Sequence, residues 1–356
     1  DIILQQKADV VPDPPASIWT RNVLILALTV FFARFGQGLQ GGVSTNFLVH
    51  DLGLGGDQVL WLAGVREIPG LGLMFLTALI MRLPQSHRAF WSLLLMGFGY
   101  GCYYFINSYT TLLALAFIAS IGFHNWMPLL SSLGMGLVGR ERSGRVLGRM
   151  NAVGSLASMG GMVIIVFFSE KFGLRPFFLF GGAFLILAAL VVSRLPKEIG
   201  ASTEKIPRLL LRKRYWLFYV LTFFEGSRTQ VFYTFGAWVL VDSYGFNAQR
   251  ISVLLIISGL MNFLIAPHMG NWIDRFGERI TLTASYFALV LVFIAYATVH
   301  NAYALGGLYI AINFLVMFRI GLHTYVNRIA PDEDLSPTLS AGVSINHLTS
   351  VGMSLV

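Results

Sequence analysis

Apolar residues in this chain do not alternate with polar ones; they come in long runs. After a polar, proline-bearing opening (Val11-Pro-Asp-Pro-Pro-Ala-Ser17), the runs occupy about 22–50, 58–82, 88–107, 110–138, 146–169, 174–193, 215–241, 250–272, 280–299, 302–327 and 338–356. Each is near or above the ~20 residues that cross ~30 Å of hydrocarbon at 1.5 Å per residue. Backbone N–H and C=O groups find no water at that depth, so each run predicts a helix. The alternation of a membrane β-barrel is absent. The pattern predicts an all-α membrane protein with eleven spans, the last of them incomplete.

Composition strengthens this reading. Of the 356 residues, 56% are hydrophobic and only 12% charged, and the mean hydropathy is +0.70. A soluble domain carries about 25% charged residues, so the charge needed to cover a globular surface is missing. The net charge of +8 is explained by sidedness. Of the 25 Lys and Arg, 18 fall on the side of the N-terminus and three (Lys171, Arg175, Arg250) on the other. The remaining four (Arg34, Arg66, Arg228, Arg319) lie inside runs. That bias predicts a cytoplasmic N-terminus in a bacterial cytoplasmic membrane, and it leaves no basicity to assign to nucleic acid. Cys102 is the single cysteine, so neither an internal disulfide nor a Cys-based zinc site is expected.

The longest polar stretch, 194–214, divides the chain into a tail (1–20), a six-span half (21–193), a cytoplasmic linker and a second half (215–356). A shift of 192 residues lays the halves on each other without a gap. It brings Phe31-Phe32 onto Phe223-Phe224, Leu48-Val49 onto Leu240-Val241, Gly53 onto Gly245, Ile118-Ala119 onto Ile310-Ala311 and Glu141 onto Glu333. Parallel six-helix repeats related by a pseudo-two-fold axis follow. On this register Val356 matches Ile164, so the end of span eleven and a twelfth span are expected beyond the sequence.

Gly270-Asn-Trp-Ile-Asp274-Arg275-Phe276-Gly277-Glu278-Arg279, between spans eight and nine, resembles the signature loop of the major facilitator superfamily (MFS). The stretch Arg140-Glu-Arg-Ser-Gly144-Arg145 through Arg149 is similar to that family's basic loop. In the first half, Arg82-Leu-Pro-Gln-Ser-His-Arg88 lacks the Asp and the Gly. The resemblance implies the MFS fold, secondary active transport by alternating access, and a central cavity lined by spans 1, 4, 7 and 10. It also implies a gating role for Asp274, Arg275, Gly277 and Arg279.

Periodicity gives those four spans polar faces on its own. Arg34, Gln37, Gly41 and Thr45 recur at helical spacing on the first. His124 and Asn125 sit in the fourth, Glu225 and Arg228 in the seventh, and Arg319, His323 and Asn327 step along the tenth. A charge at the bilayer centre costs ~2.5–3.5 kcal/mol on insertion scales. Six of them, the four Arg with Glu67 and Glu225, would cost on the order of 15–20 kcal/mol if they faced lipid unpaired. They must face a cavity or one another. Excess Arg favours an anion, which a guanidinium grips through two parallel hydrogen bonds.

The candidate solute contacts are therefore Arg34, Gln37, His124, Asn125, Arg228, Arg319 and His323, with Glu225 and Glu67 as acids that could bind a coupling proton. Simpler roles compete. Glu225 and Arg228 can neutralise each other, Arg66 and Glu67 can pair with other helices, and His124, His323 and His347 can link helices by hydrogen bonds. Gly36-Gln-Gly38-Leu-Gln-Gly41 fits a dinucleotide fingerprint only in letters, because it lies inside an apolar span rather than after a strand. No zinc-hydrolase or nucleophile-elbow motif is present, and no enzyme, metal or cofactor is expected.

The sequence thus points to a monomeric transporter of a small, anionic organic solute, possible proton coupling included. An efflux transporter of drugs or neutral solutes is one alternative. A non-transporting assembly factor or subunit of a membrane complex is another.

Overall fold

The structure is a computed structural model that describes residues 18–73, 80, 82–138, 140–199 and 211–354. Residues 1–17 of the expected tail, 74–79 and 81 of the second expected span, and 200–210 of the linker lie outside these residues. Everything regular among the described residues is helical.

The first half contains α1 (Arg21–Asn46), α2 (Gly56–Leu71), α3 (Gln85–Gly101), α4 (Tyr109–Gly136), α5 (Arg140–Phe172) and α6 (Arg175–Val192). In the second half, α7 (Trp216–Gln230) passes through a π-turn, Val231–Gly236, into α8 (Ala237–Asp242), and the two make one span. Then follow α9 (Ala248–Phe276), α10 (Glu278–Thr298), α11 (Ala302–Val316), α12 (Ile320–Ile329) and α13 (Asp332–Ser354). A short 3₁₀ turn, Met317–Arg319, joins α11 to α12 within the tenth span. Seven described spans are long and apolar enough to cross a membrane by length and composition alone. Helix starts follow local chemistry. Thr20, Ser108, Asn247 and Asn301 each accept a hydrogen bond from a first-turn backbone N–H with their side chains, the usual device for satisfying those donors.

The 192-residue repeat is visible as geometry. Gly53 and Gly245 both have φ of +64°, a left-handed value that favours glycine. The turns they make close identically, Leu54 N–H on Leu48 C=O and Phe246 N–H on Leu240 C=O, each at 2.9 Å. The next helices are capped by Gly55 and Asn247, and α5 and α13 begin at Arg140 and Asp332.

Within the first half, α1 packs on α5 and α6, and α3 on α4 and α6. Gly36 and Gly97 let these helices meet closely, since a β-carbon would lie 2.6 Å from the Gly181 carbonyl oxygen and 2.9 Å from that of Gly182. This is the close helix packing that small residues allow between spans.

The ends of the bundle differ. At the end carrying the linker, one apolar cluster (Leu26, Leu93, Trp126, Leu133, Met150, Leu185) belongs wholly to the first half, and another (Phe218, Leu282, Leu322, Val326) wholly to the second. At the far end the clusters mix. Ala248 and Trp238 join first-half residues, and Val49 joins second-half ones. Asn46 Nδ2 donates to the Phe246 carbonyl (2.7 Å) and Trp238 Nε1 to that of Leu54 (3.3 Å). The halves are fastened at the far end.

Candidate functional site

Arg34 lies 13 residues into α1 (34 − 21), about 20 Å along its axis. Its Nη1 donates to Gln37 Oε1 at 3.1 Å, and its stem packs where Gly154 of α5 leaves room. Gln37 Nε2 in turn reaches the sulfur of Met96. Arg34 and Gln37 thus act as one polar group on the first span, and no acid pairs with Arg34 among the described residues.

A cavity of about 430 Å³, walled mainly by the second half, is lined by Met162, Tyr233, Leu255, Ser258, Gly259, Asn262, Asn313, Val316, Met317 and Arg319. Spans 5, 7, 8 and 10 contribute these residues. Arg319 lies 10 residues before the end of α12 (329 − 319), about 15 Å from the linker end, a depth comparable to that of Arg34. Glu225 and Arg228 make a direct salt bridge, Arg228 Nη2 to Glu225 Oε2, with both side chains largely buried. They sit one turn apart on α7 and neutralise each other, the pairing the sequence offered as the simpler role. Tyr233 and His323 lie within electrostatic reach of both Arg319 and Glu225, but of the candidates Glu225, Arg228, Arg319 and His323, Arg319 alone is among the residues that line the cavity.

The structure does not bring every candidate there. Asn125 is buried at 4% exposure and donates to the Ile121 carbonyl of its own helix at 2.9 Å. His124 turns away toward α2. Its Nε2 lies 3.8 Å from Glu67 Oε2, and the same carboxylate oxygen meets His347 Nδ1 of α13 at 2.8 Å. The two imidazoles stand edge to face with centroids 5.1 Å apart. Glu67, His124 and His347 therefore form a third group at the seam between the halves. Next to it, Arg66 donates to Tyr100 of α3 at 3.2 Å.

At the signature loop, α9 stops at Gly277, whose φ is +78° and whose N–H bonds the Ile273 carbonyl at 2.8 Å. Asp274, Arg275 and Arg279 are exposed, and the Arg275 guanidinium lies over the Phe276 ring at 5.4 Å. The buried acid of this loop is Glu278, which pairs with Arg328 of α12 at 3.1 Å. Nearby, Asp334 at the start of α13 is 1% exposed and clamps the linker's end. Arg212 and Arg214 reach it at 2.9 and 2.6 Å, and the Tyr215 hydroxyl donates to it at 2.9 Å.

Residue-by-residue reading missed Ser258, Asn262 and Asn313 of the cavity, Glu278 and Asp334, and the partnership of His347 with Glu67. The asparagines carried a signal, being amides within apolar runs. The Glu67–His347 contact carried none, because 280 residues separate the partners.

Residues 26–352 match the family model described as Major Facilitator Superfamily. Among curated proteins, the multi-drug resistance efflux pump PmrA of Streptococcus pneumoniae is 24% identical over 310 residues, 81% of this chain and 76% of that protein. Among solved structures, the nucleoside transporter NupG superposes with a TM-score of 0.75 at 16% identity, over 94% of this chain and 89% of that one. A peptide transporter POT in complex with sulfate gives 0.75 at 12% identity, over 96% and 89%. A bacterial homologue of the human lysosomal transporter Spinster, inward-facing and occupied, gives 0.70 at 15%, over 94% and 79%. These likenesses carry the fold.

Proposed function

We propose that this chain, which belongs to the Major Facilitator Superfamily, is a secondary active transporter that moves a small organic anion across the membrane by alternating access between its halves. One observation carries the anionic reading. The Glu225–Arg228 pair cancels its own charge, so Arg319 is left as the charge of a 430 Å³ cavity otherwise lined by neutral residues. Arg34 supplies a second guanidinium at similar depth in the other half, held by Gln37 and the Met127 sulfur with no acid beside it among the described residues. A carboxylate or phosphate bound by either Arg gains charge-assisted hydrogen bonds that a neutral solute cannot make. Gln37, Tyr233, Asn262, Asn313 and His323 complete the proposed solute site, and Arg228 joins it when Glu225 is protonated. That gives Glu225 the coupling role, because a proton on its carboxyl would release the guanidinium. Asn125 and His124 fall outside this assignment.

The far-end contacts support a form open toward the linker end. With the N-terminus and linker on the basic, cytoplasmic side of a bacterial membrane, this is an inward-open form. In it Asp274 stands exposed at the open end, ready to meet the other half when that end closes.

The test is binding and transport by the purified protein in lipid vesicles. A thermal-shift screen across organic anions, sugars and drug-like cations would first supply a solute. Arg319→Ala and Arg34→Ala should each raise its dissociation constant ~10-fold or more, since a charge-assisted hydrogen bond contributes ~1.5–3 kcal/mol. Lys at either position should recover only part of that, because it loses the planar fork. A cationic solute, or normal binding by both Ala variants, would overturn the anion reading. Drug efflux is the second reading, favoured by the likeness to PmrA and by Met162, Tyr233, Leu255, Val316 and Met317 in the cavity wall. It predicts tight binding of apolar cations that Arg319→Ala does not weaken.

A further inference from the structure

The group at the seam has a chemistry separate from the cavity's. Glu67 of α2, His124 of α4 and His347 of α13 each offer one ligand atom, and these atoms lie within 4.8 Å of one another. Hydrogen bonding fixes the His124 tautomer. The Ser120 hydroxyl donates to the Arg66 carbonyl, so its oxygen is left to accept from His124 Nδ1 at 3.0 Å. The Ser120 carbonyl, which can only accept, lies 3.0 Å from the same nitrogen. Nδ1 thus carries a proton, which leaves Nε2, 3.8 Å from Glu67 Oε2, as the nitrogen available to ligate. That gap is too long for a hydrogen bond. Two zinc–ligand bonds of about 2.1 Å span up to ~4.2 Å, so it is a separation that one metal ion can bridge. The site is shaped around the rings, because a β-carbon at Gly70 would fall 2.8 Å from both His124 and His347.

We propose that Glu67, His124 and His347 bind one divalent transition-metal ion of the zinc class. Two imidazoles and a carboxylate suit zinc, cobalt or nickel, whereas magnesium and calcium prefer oxygen ligands throughout. Ser120 holds His124 from behind, the supporting contact that metal-bound imidazoles ordinarily have. To bind through Nδ1, His347 shifts its ring proton to Nε2. Because α2 and α4 belong to one half and α13 to the other, the ion ties the halves together in the form fastened at the far end. A metal that binds this form and not the other stabilises it by mass action.

The experiment uses the full chain without a histidine tag, in lipid nanodiscs, with no solute, so its outcome is independent of the transport reading. Cobalt(II) is titrated and its visible absorption followed, then zinc is added in competition. One cobalt per chain is expected, with the intense bands of a four-coordinate site, displaced by zinc and untouched by millimolar magnesium. Glu67→Gln, His124→Gln and His347→Gln should each weaken binding at least ~10-fold. Ser120→Ala keeps all three ligands and should weaken it ~10-fold or more through lost orientation. Unfolding midpoints measured in chelator identify any variant that fails to fold, and Ser120→Ala then decides. Absence of stoichiometric cobalt binding, or binding that all four substitutions leave unchanged, overturns the site.

Discussion

The two halves of this transporter touch along two seams that the internal repeat makes equivalent, yet the seams are built differently. On one side α2 meets α13; on the other α9 meets α5. Shifted by 192 residues, Glu67 becomes Gly259, and His347 shifted back becomes Ser155. The α9–α5 seam is accordingly neutral at these positions, where a β-carbon added at Gly259 would meet only the flexible Met159 side chain, at 3.3 Å. The α2–α13 seam holds a carboxylate between two imidazoles. One fold and one register therefore accommodate a neutral contact and one built on a carboxylate. Topology places the seams, but the side chains decide how firmly each is held.

Breaking the ionic seam should have the largest effect. His347→Ala leaves the Glu67 carboxylate facing His124 alone within the membrane, and unpairing a buried charge costs ~3–5 kcal/mol, somewhat less for a half-exposed one. Denaturation in mixed micelles should show a loss of ~2–4 kcal/mol that Glu67→Gln, made in the same chain, largely restores. A full loss persisting in the double variant would mean that packing, not charge, holds this seam. Next comes added volume. Gly70→Ala pushes a methyl against two rings and should cost ~1–3 kcal/mol, whereas at Gly259 the flexible Met159 can move aside and Ala should cost less than ~1 kcal/mol. Equal costs would erase the distinction between the two seams.

Smaller effects test the far-end fastening and the linker-end loop. Asn46→Ala removes a hydrogen bond worth ~1 kcal/mol, which shifts the population of the far-end-closed form about fivefold. Spin-label distances across the far end should register more of the open form. Asp274→Asn should leave stability within ~0.5 kcal/mol, because Asp274 is exposed here. Turnover in vesicles should still fall, and an unchanged rate would remove Asp274 from gating.

Much of the fold was legible in the sequence, because lipid allows few alternatives. Runs of apolar residues had to be helices. The ungapped repeat aligns Gly53 with Gly245, and the two share φ = +64°. The site was legible by halves. Helical spacing gave Arg34 with Gln37 and Glu225 with Arg228, both contacts within one helix. Contacts between helices were not: spacing put His124 near the cavity, while a rotation about α4 of less than a turn sends it to Glu67. Acids also changed roles with context. The signature loop pointed to Asp274, but burial selects Glu278 for the pair with Arg328.

The clamp on Asp334 also bears on how the chain is made. Arg214 and Asp334 are 120 residues apart, and at roughly 5–20 residues per second that distance is crossed in roughly 6–24 s of synthesis. Throughout that interval Arg212 and Arg214 have no Asp334 to neutralise them, and their full charge is available to retain the linker on one side while the second half is inserted. When α13 emerges, the same two guanidinium groups are drawn onto Asp334. Charge that stands free on the nascent chain becomes, in the finished protein, a rivet.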